Sequence, residues 1–261
     1  MFQGLRIGVT GMNSSQRTLD NVADQIANSD TNGYKRKEVR FQDLLRNEIS
    51  ASHVELSENV GAPSIGAGSR PNFSKTNFTQ GILKESLSPL HLAMEGSGFF
   101  GVLRENGDLF LTRNGAFQRN AEGTLTDNQG NTVAVDNIVP QNQWGNTADL
   151  SIASDGLISG RSPDGEITVL GRVLLFEPEN YDMLYSMGEM SYVVPEGENV
   201  LTNQEGNMDG FGTLHQRMLE GSNVDVAASM TEMIITQRAY QMNAKSITTA
   251  DEMLEVINTI I

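Results

Sequence analysis

The stretch Gly96-Ser97-Gly98-Phe99-Phe100-Gly101 has the spacing in this chain that most invites a chemical reading. Glycines in this order hold a dinucleotide pyrophosphate when a helix N-terminus follows them, because its free N–H groups and dipole face the phosphates. Here Val102 and Leu103 follow, and then an Asn106-Gly107 turn. That is the continuation of a strand and hairpin, so the glycines are read as a tight turn and no cofactor is assigned. The three histidines, His53, His91 and His215, fall in separate segments without a metal-ligand or general-base spacing. The absence of cysteine removes disulfides and thiolate chemistry, and is consistent with life outside the cytoplasm. Neither a G-x-S-x-G elbow nor a phosphate loop ending in Gly-Lys-Ser/Thr occurs. Asp127-Asn128-Gln129-Gly130-Asn131 has the flavour of a calcium loop but lacks the downstream glutamate, and reads as a turn. Acidic residues are numerous enough to supply a carboxylate pair, although an acidic surface explains them more simply. No catalytic, cofactor-binding or metal-binding residue is assigned, and the expectation is a protein that is not an enzyme.

The more informative pattern lies at the two ends. Val226, Met233, Tyr240, Ile247, Leu254 and Ile261 stand seven apart, with no Gly or Pro after Gly221. This predicts one long amphipathic helix over 222–261, started by Ser222 with Asp225 in a capping-box-like arrangement. With about 36 helical residues its length would be roughly 50 Å. A second partial row (Ala227, Ile234, Ile257 and Ala250) widens the stripe. Leu5, Met12, Leu19 and Ile26 repeat the spacing near the N-terminus, with Val9, Val22 and Ala23 beside them. Gln16 and Gln237 interrupt the seams, as register-setting polar residues do in coiled coils. The run from Asn28 to Gly33 ends the first helix with turn formers.

Between the helices the chain changes character. Lys35, Arg36, Lys37, Arg40 and Arg46 make a basic stretch anchored by Val39, Phe41, Leu44 and Leu45. It reads either as a solvated charged face or as a contact with an acidic domain on another copy. Residues 47–80, with Pro63, Pro71 and Gly66-Ala67-Gly68, read as an extended connector with short strands at most. From about residue 80, alternating Leu90, Leu92 and Met94 precede turn dipeptides at Asn106-Gly107, Asn114-Gly115, Glu122-Gly123 and Gln129-Gly130. Asp155-Gly156 and Asp164-Gly165 continue the series, with a strong strand at Ile167 to Phe176. Turns at this spacing mark an antiparallel meander. The expected fold class is α+β, with the N- and C-terminal helices pairing as a coiled coil around a mostly antiparallel β domain. The expected division is an axial helix at 1–34, a connector at 35–80, a β-rich domain at 81–215 and a second axial helix at 216–261, packed with the first. The net charge of −15 is concentrated in residues 47–221, which carry 23 acids and 9 bases. Such a body repels phosphate backbones, which argues against nucleic acid as a partner. No apolar run is long enough to predict membrane insertion, and the start lacks the pattern of a cleaved secretory signal.

Both ends also carry segments of a known kind. Thr10-Gly11-Met12, Leu19-Asp20-Asn21-Val22-Ala23-Asp24-Gln25-Ile26-Ala27-Asn28, Thr31-Asn32-Gly33-Tyr34-Lys35 and Phe41-Gln42-Asp43-Leu44-Leu45 stand in the first quarter. Glu220-Gly221-Ser222-Asn223-Val224-Asp225-Val226, Gln237-Arg238-Ala239-Tyr240, Asn243-Ala244-Lys245 and Ala250-Asp251-Glu252-Met253-Leu254 stand in the last. With Gly96 to Phe100 and Thr112 to Phe117 between them, the chain resembles the axial rod and hook proteins of the bacterial flagellum. Asp24-Gln25-Ile26 stands where many members read Asn-Asn-Leu. The resemblance implies a structural subunit that polymerises into a hollow helical tube, transmits torque and lets later subunits through. It implies helices in a shared inner layer, a β domain outside, and a place in the basal body reached through the flagellar export apparatus without a cleaved signal. Partners would be other copies, neighbouring rod and hook subunits, and that apparatus. The assembly interface would be Leu5, Met12, Leu19, Ile26, Val226, Met233, Tyr240, Ile247 and Leu254. Length and the single middle domain favour a rod subunit over a hook subunit, and the β domain with the connector at 47–80 most resembles the distal kind, with proximal rod or hook paralogues as alternatives. A reading of another class is a secreted β-domain binding module or glycan-active enzyme on a helical oligomerisation stalk.

Overall fold

The computed structural model describes residues 2–43, 47–48, 64–65, 68–104, 106–145, 147–161, 167–195, 197–204, 208 and 210–260. Leu44, Leu45, Arg46, His53, Pro63, Gly66-Ala67, Asp164-Gly165 and Ile261, which entered the expectations above, lie outside the described residues. The chain divides into two compact units, residues 1–27, 37–76 and 225–261 in the first, and 28–36 with 77–224 in the second.

Helix α1 (Phe2–Ala27) and helix α2 (Val226–Ile260) dominate the first unit. At 35 residues, α2 is about 50 Å long. Its start differs from the expected one: the cap is Asp225, whose Oδ1 accepts from the N–H groups of Ala227 and Ala228 at 2.9 and 3.1 Å. Ser222 instead closes a short turn, its hydroxyl accepting from Val224 N–H at 3.3 Å. The carboxylate of the residue directly before the helix thus satisfies two orphan donors at once. The two helices run antiparallel in close contact, since Gly8 meets Ile247 while Gly11 meets Asn243. A Cβ at Gly8 would stand 2.9 Å from Ile247 Cγ1, so the backbones approach there because glycine has no side chain.

Two strand pairs belong to this unit among the described residues, the shorter joining Asn47–Glu48 to Ser64–Ile65. Lys37–Asp43 pairs antiparallel with Ser69–Thr76, with an irregularity between Glu38 and Arg40. An eight-residue strand therefore runs through the end of the stretch expected to be an extended connector. Asn21 and Gln25 of α1 both donate to the Lys37 carbonyl, at 2.8 and 2.7 Å, and Ser14 lies 3.3 Å from the Ser69 hydroxyl. These polar side chains are consumed in holding the ribbon on α1.

The second unit is β. Its largest sheet has nine strands, and every recorded pairing is antiparallel. Phe99–Leu103 lies at its centre, paired with Leu109–Thr112 on one side and with Thr132–Val133 and Leu175–Pro178 on the other. A four-stranded sheet joins Val135–Asn137, Ile167–Val173, Leu157–Arg161 and Leu150–Ile152. The turn dipeptides do the work their spacing implies at Gly107, Gly123, Gly130 and Gly156, all with φ between 84° and 91°. Asn114-Gly115 is the exception: Gly115 passes against the Leu92 carbonyl, where a Cβ would sit 1.7 Å away. Two further pairs use residues from far along the chain: Leu92–Glu95 with Thr213–Gln216, and Leu83–Glu85 with Met218–Glu220. The core gathers Leu92, Met94, Phe100, Phe117, Leu125, Trp144, Ile158, Leu175 and Leu214. A second cluster packs Phe99, Leu111, Phe176 and Tyr192 with Phe78 and Tyr181.

Candidate functional site

Burial along α2 alternates by four and three residues: Ser229, Met233, Thr236, Tyr240, Asn243, Ile247, Ala250 and Leu254 are buried or half-buried between exposed neighbours. That alternation keeps one seam against a partner helix. On α1 the matching positions are Gly8, Gly11, Ser15, Thr18, Val22 and Gln25. The seam thus alternates large side chains (Met233, Tyr240, Ile247 and Leu254) with small ones (Ser229, Thr236, Asn243 and Ala250) on α2, and is mostly small or polar on α1. Of the residues assigned from the sequence, Met233, Tyr240, Ile247 and Leu254 lie in it, while Val226, at the first turn, is exposed. Leu5, Met12, Leu19 and Ile26 are half-buried along the flank of the α1 seam. Of the expected second row on α2, Ala250 lies in the seam whereas Ala227, Ile234 and Ile257 are exposed, and the small residues Ser229, Thr236 and Asn243 face inward. Close packing against a glycine-bearing helix needs small side chains, and apolarity alone does not reveal that need.

Reading from hydrophobicity missed a further row. Ala228, Ile235, Met242, Thr249 and Val256 also stand seven apart, and all are exposed on α2. Ile235, Met242 and Val256 keep 64, 66 and 57 % of their surface open, with Met230, Ile234 and Met253 nearby in sequence. A helix apolar on two faces has one face too many for a single intramolecular partner. The signal was present as a seven-residue row two positions beyond the first one counted.

In the second unit, the buried polar centre is a clasp of three segments. Lys35 and Glu220, both with wholly buried side chains, meet at 2.6 Å. Lys35 Nζ also donates to the Thr79 carbonyl at 2.8 Å, and Glu220 Oε1 accepts from Gly81 N–H at 2.9 Å. Gly33 N–H donates to the Glu220 carbonyl at 2.8 Å. Asn223 completes the arrangement: its Oδ1 accepts from Arg36 N–H, and its Nδ2 donates to the carbonyls of Asn77 and Thr79. Burial lowers the Lys35 pKa, with Glu220 opposing the shift. Residues 33–36, 77–81 and 220–223 are thereby tied together where the chain enters and leaves this unit.

The chemistry-bearing residues are otherwise engaged locally. Gly96 and Gly98 take φ of 105° and 115° in a turn leading into the Phe99–Leu103 strand. His91 Nδ1 lies 2.6 Å from the Ser86 hydroxyl, and His215 Nε2 lies 2.7 Å from Glu95. Asp127 Oδ1 accepts from the N–H groups of Gln129 and Asn131, which folds the acidic loop on itself as a turn. Among the described residues no group of three His, Cys, Asp or Glu side chains is arranged to hold a metal.

Against this geometry the comparisons are specific. The family described as "Flagellar basal body rod FlgEFG protein C-terminal" matches residues 215–260, which hold the end of the β unit and α2. "Flagellar hook protein FlgE/F/G D1 domain" matches residues 93–160, within the β unit. The flagellar basal-body rod protein FlgG of Buchnera aphidicola from Acyrthosiphon pisum is 33 % identical, with 99 % of each chain covered. The chain belongs to the flagellar basal-body rod protein family. The FlgG proteins of Bacillus subtilis and Agrobacterium fabrum are 32 and 31 % identical, over 99 and 98 % of both chains. The hook-basal body complex protein FlhP of B. subtilis is more distant, 24 % identical over the full length of both chains. This rod protein is accordingly a structural subunit of the flagellar rod, located in the basal body, and sides with the distal FlgG type. The relatives are structural proteins, and the reading as a binding module or glycan-active enzyme on a stalk is not favoured.

Proposed function

We propose that the rod protein polymerises through its terminal helices into a hollow helical tube that transmits torque and lets later subunits pass. The observation that carries this reading is the exposed apolar row of α2, left over after the other face has met α1. In the assembled tube the two helices act as a coiled coil, supported by the four-and-three alternation of the seam, and α2 supplies its second face to neighbouring copies. Leu5, Met12, Leu19, Ile26, Met233, Tyr240, Ile247 and Leu254 set the shape of the pair, and Val226 lies open at its end. The functional division is an axial segment at 1–34 that holds α1, a connector at 35–80, a β domain at 81–215 and an axial segment at 216–261 that holds α2. Other copies, adjoining rod and hook subunits and the flagellar export apparatus are its partners. The test is Ile235→Asp with Met242→Asp, both on open positions, so the monomer should melt within about 0.5 kcal/mol of the parent. Electron microscopy and sedimentation of the concentrated protein should show filaments or tubes for the parent and none for the variant. Equal assembly by the double variant would sink the reading.

A further inference from the structure

The turn at Gly96-Ser97-Gly98 lines a cavity of about 370 Å³, together with Phe78, Gln80, Arg113 and Tyr181. Arg113 is its charged side chain and is only 3 % exposed. One arm is occupied, Nη2 donating to the Gly96 carbonyl at 2.8 Å, and the guanidinium carbon sits 5.1 Å over the Phe99 ring. Nη1 lies 3.5 Å from Glu220 Oε2 without forming a hydrogen bond, and Nε has no acceptor among the described residues. Buried guanidinium N–H groups without acceptors are costly and call for an explanation.

Lys35 and Arg113 are two buried cations, and Glu220 is the wholly buried carboxylate facing both. Its Oε1 is already committed to Lys35 and Gly81. Glu177 is the next carboxylate; its Oε1 accepts from the Tyr181 hydroxyl and its Oε2 has no donor. Burial raises the pKa of Glu177, while the Tyr181 hydrogen bond and the Arg113 charge oppose the shift.

We propose that this cavity accepts one carboxylate, the side chain of an aspartate or glutamate on a neighbouring copy of the chain. The proposal rests on the assembling-subunit reading for its source, although the site itself stands on Arg113 and the cavity. The volume is at the small end of ligand pockets and suits one side chain better than a dinucleotide. A second copy has the right chemistry to offer, since residues 28–36 and 77–224 carry 21 acids against 9 bases. A carboxylate reaching Nε gains a charge-assisted hydrogen bond in a largely desolvated setting.

The probe is sodium acetate, titrated into the full chain at a concentration where it is monomeric, with sodium chloride as the control at equal ionic strength. The Arg113 Nε–H resonance should shift saturably with acetate and not with chloride. Arg113→Gln removes the donor but also disturbs Glu220, so the decisive variant is Ser97→Glu, which tethers a carboxylate at the cavity lining. It should weaken acetate binding at least about tenfold by occupying the donor. A linear shift, an equal response to chloride, or unchanged acetate affinity in Ser97→Glu overturns the site. For the source, sedimentation should show Ser97→Glu copies associating at least about tenfold more weakly than the parent. Saturable acetate binding with parent-like association of Ser97→Glu refutes the neighbouring copy. A parent chain that never associates fails the assembly reading and leaves the acetate result to judge the site.

Discussion

Replacing Glu220 by Gln removes one charge from the centre of the β unit while keeping the side chain's size. The lost partners are Lys35 Nζ at 2.6 Å and Arg113 Nη1 at 3.5 Å, and all three side chains are at least 97 % buried. Glutamine can still accept from Lys35 and from Gly81 N–H, so the hydrogen bonds at Oε1 survive and the change isolates the charge. Two cations then remain in the interior with no fully buried counterion. Breaking a buried pair by removing one partner costs about 3–5 kcal/mol, because the remaining charge is left uncompensated. Retained hydrogen bonding places this case toward the lower end, about 3 kcal/mol. Urea unfolding of the monomeric full chain measures it, following the Trp144 fluorescence that reports on the β core. Adding Lys35→Met to Glu220→Gln should recover part of the loss, since one of the stranded cations is then gone. A loss below about 1 kcal/mol, or a double variant less stable than Glu220→Gln alone, would refute the reasoning that charge pairing holds the three segments.

Two other outcomes follow from the packing of α1 and from Glu177. Gly8→Leu should lower the melting temperature of the helical signal through an overpacking cost of about 1–3 kcal/mol, because Ile247 occupies the space its Cβ needs. Gly4→Ala, which meets nothing within 4 Å, should raise it by about 0.5–1 kcal/mol; the reverse order would refute the close approach. Glu177 holds its proton to higher pH when folded than when unfolded, so between 4.5 and its raised value the folded state binds more protons. Stability should therefore fall with rising pH across that window, and Glu177→Gln should flatten the slope in a pH series of urea melts.

Much of this molecule could be read from residue spacing, and the failures have physical causes. The terminal helices and the turns at Gly107, Gly123, Gly130 and Gly156 are local events, fixed by periodicity and by the need for positive φ. The seam of α1 escaped because it is built from Gly8, Ser15 and Thr18, which carry no hydrophobic signal and gain their value only from how near α2 comes. The clasp escaped for a different reason. Lys35 and Glu220 are separated by 185 residues, and each is of a type normally found in water. Lys35 was read as one of a basic run, whereas Arg36 and Lys37 beside it belong to different contacts. The ion pair exists only because the segment after α1 is brought to the end of the distant Met218–Glu220 strand. Likewise, the Gly96-Ser97-Gly98 motif gives the turn by itself, but only the folded chain reveals Arg113 behind it.

The pairing of Leu83–Glu85 with Met218–Glu220, and of Leu92–Glu95 with Thr213–Gln216, sets an order in time. The earlier strand of each pair is made well over a hundred residues before its mate, and Lys35 waits longer still for Glu220. At about 5–20 residues per second, synthesis leaves these edges open for roughly 6–25 s. No earlier point along the chain offers the missing carboxylate or the closing strands. Until its last fifth emerges, this chain has a β domain that cannot be finished, and the residues that finish it are immediately followed by the helix proposed to meet other copies.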